Sequence, residues 1–388
     1  MNFGIICEFN PFHAGHKYLF CKARELGAEN IVCVMSGNAV QRGELAISDK
    51  YIRAKSAVEN GADLVLELPF PWSSASAEYF ASAGVKALAP YCNALIFGSE
   101  CGDIELLTRA ANVALTAEFS NELEKRKKNG EGAASAYFSL IEEYIGAKLS
   151  SNDILGVEYI KAAKKCGKKF DFYTVKRMGN AYRDNNIYDG EIPSASAIRE
   201  ALTLGEDAFL RAQKYIDGTL KSELDKGNVT DLKFVGRAII HYFRICEPSE
   251  ISCYAECDGG VAERICTIAK ENIDVNEFFE AVKTKRYTDA KLCRAILFAL
   301  TKVRRDLLLQ TPEYLSLLAV NGSGRKLLST VKKTSCEQYI PIVTKPADAP
   351  RESEQLLVEE RLYALFSLAR ENALPMGDAY KKGTFVLN

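Results

Sequence analysis

The stretch Phe3-Gly4-Ile5-Ile6-Cys7-Glu8-Phe9-Asn10-Pro11-Phe12-His13-Ala14-Gly15-His16-Lys17-Tyr18-Leu19 joins a strand to a helix. Its first six residues read as a short buried strand. From Lys17 onward, Leu19, Phe20, Ala23 and Leu26 recur at helical spacing. His13-Ala14-Gly15-His16 therefore lies where a first strand hands over to a first helix. In an open α/β sheet, ligands collect there, at the carboxyl ends of the strands. A helix N-terminus presents free N–H groups and the positive end of its dipole, which suits phosphate. Gly15 lets a ligand approach the backbone, and both imidazoles can donate to phosphate oxygens. The same spacing also suits a helix cap. A zinc site is disfavoured, because no Glu follows at helical spacing and His241 is distant in sequence.

Working outward, short β-like runs alternate with helical stretches up to about residue 205. Strands are expected at Asn30–Met35, Asp63–Leu66, Ala94–Phe97 and Phe170–Val175. Helices are expected at Lys50–Asn60, Ala75–Ala89, Ile104–Lys127, Gly132–Gly146 and Asp153–Cys166. This alternation predicts an α/β class with a Rossmann-like parallel sheet. Neither a G-x-G-x-x-G fingerprint nor a Walker P-loop is present. Beyond it, amphipathic helical segments dominate, with one β-like stretch at Tyr339–Val343. The expected organisation is an α/β domain over 1–216 and a mostly α-helical domain over 217–388.

The chain has 388 residues, 47% hydrophobic and 26% charged, with a net charge of −1. That balance is ordinary for a globular protein and gives no global nucleic-acid signal. No run approaches the ~20 apolar residues of a membrane span, and no signal peptide is evident, so the expectation is a cytoplasmic protein without a membrane partner. The 12 cysteines are scattered and read as small buried hydrophobes. Cys253-x-x-x-Cys257 lacks a nearby His, so no metal site is expected.

Four further segments fall where a nucleotide site needs them. Met35 to Glu44 follows the second strand, and Phe97 to Asp103, with Gly98 and Gly102, follows the fourth. Ser150-Ser151-Asn152-Asp153 precedes a helix: Ser151 or Asn152 suits a cap, and Asn152 also suits a hydrogen bond to adenine or ribose. Arg177, after the last strand, pairs with Ser194-Ala195-Ser196-Ala197-Ile198-Arg199 as a second phosphate cradle. In the second half, Tyr287, Lys291, Arg294, Phe298, Lys302 and Arg305 would share one helical stripe, opposite Leu292, Ile296, Ala299, Leu300 and Val303. With Lys285 and Arg286 upstream, and Arg325-Lys326 and Lys332-Lys333 beyond, this reads as a basic face for an RNA backbone. A solvated charged face is the plainer reading.

His13-Ala14-Gly15-His16 resembles the HxGH signature of the nucleotidyltransferase superfamily. Together with Asn10-Pro11-Phe12, Ser36-Gly37-Asn38, Gln41-Arg42-Gly43-Glu44, Gly61 to Val65, Glu67-Leu68-Pro69, Phe97-Gly98-Ser99-Glu100, Ser194 to Arg199 and Lys285-Arg286-Tyr287-Thr288, it resembles the tRNA(Met) cytidine acetate ligase family. The resemblance implies activation of acetate by ATP to acetyl-adenylate, then acetyl transfer to N4 of the wobble cytidine of elongator tRNA(Met). It implies ATP contact by Ile6, Cys7, Glu8, Phe9, Asn10, Pro11, Phe12, His13, Ala14, Gly15, His16, Lys17, Tyr18 and Leu19, by Gly98 or Gly102, by Asn152 and by Arg177. ATP is then a substrate, and Mg²⁺ is expected to travel with it. The expected catalytic set is His13, His16, Arg177, Ser196 and Arg199, supplying positive charge and N–H groups where charge builds on the phosphates. The expected tRNA contacts are Lys285, Arg286, Lys291, Arg294 and Lys302. The same motifs suit an adenylyltransferase for a small phosphorylated acceptor, or a non-catalytic RNA-binding protein on the same core. The sequence does not indicate an oligomeric state.

Overall fold

A computed structural model describes residues 1–177, 193–202, 210–333 and 339–388. Strands β1 (Asn2–Cys7), β2 (Asn30–Ser36), β3 (Leu64–Leu68), β4 (Ala94–Ser99) and β5 (Asp171–Lys176) form a parallel sheet in the order β5-β4-β1-β2-β3. The expected α/β class and parallel sheet are found. β1 and β4 are neighbours that are not consecutive in the chain, so the sheet reverses its winding between them. In this topology the crevice opens at their carboxyl ends.

The crossovers are α1 (Ala14–Glu25), α2 (Lys50–Glu59), α3 (Ala77–Leu88), then α4 (Ile104–Ala114), α5 (Ala117–Lys128), α6 (Ala133–Ile145) and α7 (Ser151–Cys166). The single helix expected over Ile104–Lys127 is broken after Leu115, where the Thr116 hydroxyl accepts from Phe119 N and starts a new helix. The central strands β2 and β3 are almost continuously buried, as parallel strands covered on both faces must be, whereas the edge strand β5 is only partly covered.

The second half is mostly helical, as expected, with three strands besides among its described residues. After α8 (Ala195–Ala201) and α9 (Gly218–Asp225), helices α10 (Gly236–Ile245), α11 (Val261–Glu271), α12 (Val275–Val282) and α13 (Asp289–Thr301) pack around their own core, which includes Phe243, Ile265, Phe278 and Ile296. The chain then returns to the sheet. Strand β6 (Leu315–Val320) pairs antiparallel with β3, and the short β7 (Ile342–Val343) and β8 (Phe385–Val386) pair with β6. Helices α14 (Gly322–Lys333) and α15 (Glu354–Leu368) complete this return. The helical unit thus lies in the chain between the first five strands of the sheet and the strands β6–β8 that join it.

Helix α13 joins the two cores. Its Leu292, Ala295, Ile296 and Ala299 pack in the helical unit, while Leu297 and Phe298 pack in the α/β core, Phe298 against Phe70 at 5.9 Å. Gly43 makes this closure possible. It has φ +81°, and a Cβ there would lie 2.4 Å from Arg294 N and 2.7 Å from its Cα. Backbone cannot yield as a side chain tip can. Gly43→Ala is therefore expected to destabilise the protein by roughly 2–3 kcal/mol, from left-handed strain plus overpacking, read as a lowered urea midpoint. An unchanged midpoint would contradict the tight approach.

Candidate active site

The histidine turn and the loops after β2, β4 and β5 lie at the carboxyl edge of the sheet. Phe9 leaves β1 with φ 46°, a left-handed conformation costly for an aromatic residue. It is held by ring contacts with Phe12 at 5.1 Å, Phe20 at 5.8 Å and His16 at 4.9 Å. Arg53 of α2, fully buried, ties the ends of β1 and β2 together. Its Nη1 donates to Glu8 O at 2.6 Å and Ser36 O at 3.1 Å, and its Nη2 donates to Gly37 O.

His13 and His16 do two things at once. His13 is the N-cap of α1, and its Nδ1 accepts from Gly15 N at 3.0 Å; the Nδ1 of His16 accepts from His13 N at 3.3 Å. This is a reciprocal capping box built from imidazoles. With Nδ1 accepting, the neutral tautomer carries its proton on Nε2, a donor. Burial, then the Arg177 and Arg199 cations, pulls His13 down to about 3. Burial, then His13 and Arg177, holds His16 well below the usual imidazole value. The positive charge expected of the histidines is thus replaced by neutral N–H donors; the arginines carry the charge.

The sign of the resulting pH dependence follows. An unfolded imidazole binds a proton near pH 6.5, and the folded one does not, so the unfolded state gains protons first as pH falls. His13 contributes stability above about pH 6.5 that is lost towards about pH 3, at roughly 1 kcal/mol per pH unit, and His16 acts in the same direction. Nitrogen NMR of the imidazoles should find His13 and His16 neutral at pH 5.5, protonated on Nε2. An imidazolium signature at either position would refute this arrangement.

The remaining expected residues converge on the same crevice with partners of their own. Arg199 of α8 donates from Nη1 to Asn10 O at 2.7 Å and pairs with Glu44 at 3.2 Å. The helix cap at α8 is Ser194, whose hydroxyl accepts from Ala197 N, leaving Ser196 facing the cleft. Arg177 follows β5 and lies 3.8 Å from Glu100. Gly98 is where Arg177 crosses β4: a Cβ would sit 3.3 Å from Arg177 Cγ. Gly102, with φ +65°, passes Lys176 more closely still, a Cβ there lying 2.8 Å from Lys176 Cβ. The cap of α7 is Ser150, not Ser151 or Asn152, and the Asn152 amide donates to Glu100 Oε1 at 2.6 Å.

The basic stripe is not one solvent face. Arg294 is buried and makes two 2.8 Å hydrogen bonds to Glu256, and Phe298 is core. Lys302, φ 58°, ends α13, so Lys302 and Arg305 leave the helical register of Lys291. Lys291 pairs with Asp258 at 3.1 Å and lies over the Tyr287 ring. Lys285, Arg286, Lys291 and Arg294 do, however, line the same cavity as the histidines, whereas Lys302 does not. That cavity has a volume of 1210 Å³ and runs from α1 to the 285–291 loop. Its aromatic wall of Phe80, Phe119, Tyr137, Phe138 and Tyr159 escaped sequence reasoning, because these residues come from four helices with no common spacing. Among the described residues no cluster of three or more His, Cys, Asp or Glu could hold a metal ion, and no helix is long and apolar enough to cross a membrane.

The model of the HIGH nucleotidyl transferase family matches residues 1–378. The tRNA(Met) cytidine acetate ligase of Acetivibrio thermocellus is 34% identical over 385 residues, covering 91% of this chain and 90% of its own. That of Clostridium perfringens is 34% identical over 381 residues, covering 90% and 91%. The crystal structure of apo Thermotoga maritima TmcAL superposes over 100% of both chains with a TM-score of 0.87 and 29% identity. The structure of the same protein bound with alpha-thio ATP gives 0.85, with 28% identity and the same coverage. By its family match and these relatives, the chain belongs to the HIGH nucleotidyl transferases and, among them, to the tRNA(Met) cytidine acetate ligase family.

Proposed function

We propose that this protein is an ATP-dependent ligase that converts acetate to acetyl-adenylate and passes the acetyl group to N4 of the wobble cytidine of elongator tRNA(Met). One observation carries the reading: the cavity lined by His13 and His16 is also lined by residues 285–291, the loop before α13 and its first turn. A small phosphorylated acceptor has no use for that extent. A polynucleotide reaching into the cleft does.

In the first step an acetate oxygen attacks the α-phosphorus and pyrophosphate leaves. Negative charge grows on phosphoryl oxygens, and the Nε2–H groups of His13 and His16, the α1 N-terminus, Arg177 and Arg199 are the donors and cations available to it. Asn152 and the Gly98–Gly102 loop suit the nucleoside end. Mg²⁺, which usually keeps several waters and takes few protein ligands, would enter on the nucleotide phosphates. Lys285 and Arg286, without ion-pair partners among the described residues, suit the RNA backbone.

The test is nucleoside mass spectrometry of tRNA incubated with the protein, ATP and isotopically labelled acetate. Label is expected in N4-acetylcytidine, only with ATP present, and pyrophosphate should be released without RNA. Unlabelled tRNA, with AMP transferred to a small phosphorylated acceptor, would establish the adenylyltransferase alternative instead.

A further inference from the structure

Acetyl transfer to cytidine needs a proton acceptor. The N4 amine is conjugated with the ring and attacks poorly unless its proton is withdrawn as the C–N bond forms. The two histidines cannot serve. Each has its Nδ1 lone pair engaged by a backbone N–H within the capping box, which leaves only Nε2–H donors towards the cleft.

The carboxylates that line the cavity narrow the choice. Glu44 pairs with Arg199 at 3.2 Å, Glu78 with Lys165 at 3.3 Å and Glu158 with Lys161 at 2.8 Å. Glu256 pairs with Arg294 at 2.8 Å, and Asp289 lies 3.8 Å from Lys283. Glu8 alone among them has no cation within ion-pair distance among the described residues. Its Oε1 accepts from Gln41 N at 2.8 Å, which fixes the carboxylate, and its own backbone oxygen is held by Arg53. It stands at the tip of β1, five positions before His13.

We propose that Glu8 takes the N4 proton of the target cytidine as that nitrogen attacks the acyl carbon of acetyl-adenylate. This rests on the ligase reading above. The N4–C bond forms, the bond from the acyl carbon to the phosphate oxygen breaks, and its electron pair leaves with AMP. The proton passes to Glu8 and then to solvent.

Two features of the surroundings suit the role. Burial raises the Glu8 carboxyl above its ordinary range, making the carboxylate a stronger base; the Gln41 N–H and then Arg199 oppose that, while Glu44 adds to it and Arg42 also opposes it. The other charged or titratable groups that feel Glu8 are the buried Arg53, Cys7 and Tyr159, and Tyr159 is itself held above its usual phenol range by burial and by Glu8. The Tyr159 ring packs edge-on against Phe97 at 5.6 Å, and Tyr159 and Phe97 line the same cavity as Glu8. A carboxylate that lines the same cavity as the phosphate donors can meet the exocyclic amine of an extruded pyrimidine.

The experiment loads the full-length protein with acetyl-adenylate, formed in place or added as the synthetic compound. The loaded protein is then chased with tRNA or with hydroxylamine, a nucleophile that needs no enzymic base. The readout is the ratio of the two transfer rates per bound adenylate. The native protein should lose tRNA transfer at acid pH; Glu8→Gln should lower the ratio by about 10²-fold or more and abolish that acid limb. Glu8→Asp, which keeps a carboxylate one methylene short, should lower the ratio by about 10-fold while retaining the acid limb. This second variant decides the matter if Glu8→Gln does not fold. An unaltered ratio in either variant, or an acid limb that survives in Glu8→Gln, overturns the proposal and leaves the departing phosphate as the acceptor. If the native protein acetylates hydroxylamine but not tRNA, or forms no adenylate at all, the ligase reading has failed and not the assignment of Glu8.

Discussion

His16→Gln is expected to reduce acetate-dependent exchange of pyrophosphate into ATP by ~10²–10³-fold while leaving the protein folded, the usual loss when one transition-state donor is removed. The choice of replacement matters. His16 stands at the third position of α1 and caps the backbone of His13, where Gln is a natural capping-box partner. Alanine would remove the cap and the donor together. His13→Asn makes the same separation at the N-cap, since an Asn oxygen can accept from Gly15 N while no imidazole N–H remains. Both variants should unfold within a few tenths of a kcal/mol of the native protein yet lose exchange. If exchange persists in either well-folded variant, the imidazoles are caps and nothing more, and the site must be sought elsewhere in the cavity.

This duality explains what the sequence could and could not convey. The HxGH motif, its place after β1 and the parallel sheet were legible because strand, turn and helix signals agree along one short stretch. The protonation state of the histidines was not legible, since it depends on which nitrogen meets a backbone N–H and on arginines 164 and 186 residues away from His13 (177 − 13 and 199 − 13). Strand β6 was missed although Leu315-Ser316-Leu317-Leu318-Ala319-Val320 is an apolar run closed by Asn321-Gly322, a fair signature of a buried strand. Its helical surroundings concealed it. The reading of α13 failed for a related reason. Periodicity tells which residues share a face, not what covers that face. The unbroken apolar run Ala295–Leu300 was the available sign that both faces are covered, as in a helix hydrophobic all round.

That correction divides the expected RNA-binding residues into two groups with opposite phenotypes. Arg294→Ala should act on stability. It would leave Glu256, whose side chain is 16% exposed, without the guanidinium that now makes two hydrogen bonds to it. Removing one partner of an enclosed pair typically costs ~3 kcal/mol, because the other charge remains desolvated. The loss falls where α13 joins the helical unit to the α/β core, so the urea midpoint should drop and the transition should broaden if the two bodies part company. Lys285→Ala with Arg286→Ala should act on binding. Neither side chain forms an ion pair among the described residues, and both line the cavity opposite the histidines. The folded protein should keep its unfolding midpoint, while the slope of log affinity for tRNA against log salt should flatten by up to about two units, one for each phosphate that is no longer neutralised. Adenylate formation needs no RNA and should be unaffected by the double change. If instead Arg294→Ala flattens the salt slope without loss of stability, the guanidinium exchanges Glu256 for a phosphate when RNA enters, and the ion pair at the mouth of the helical unit is a gate rather than a weld.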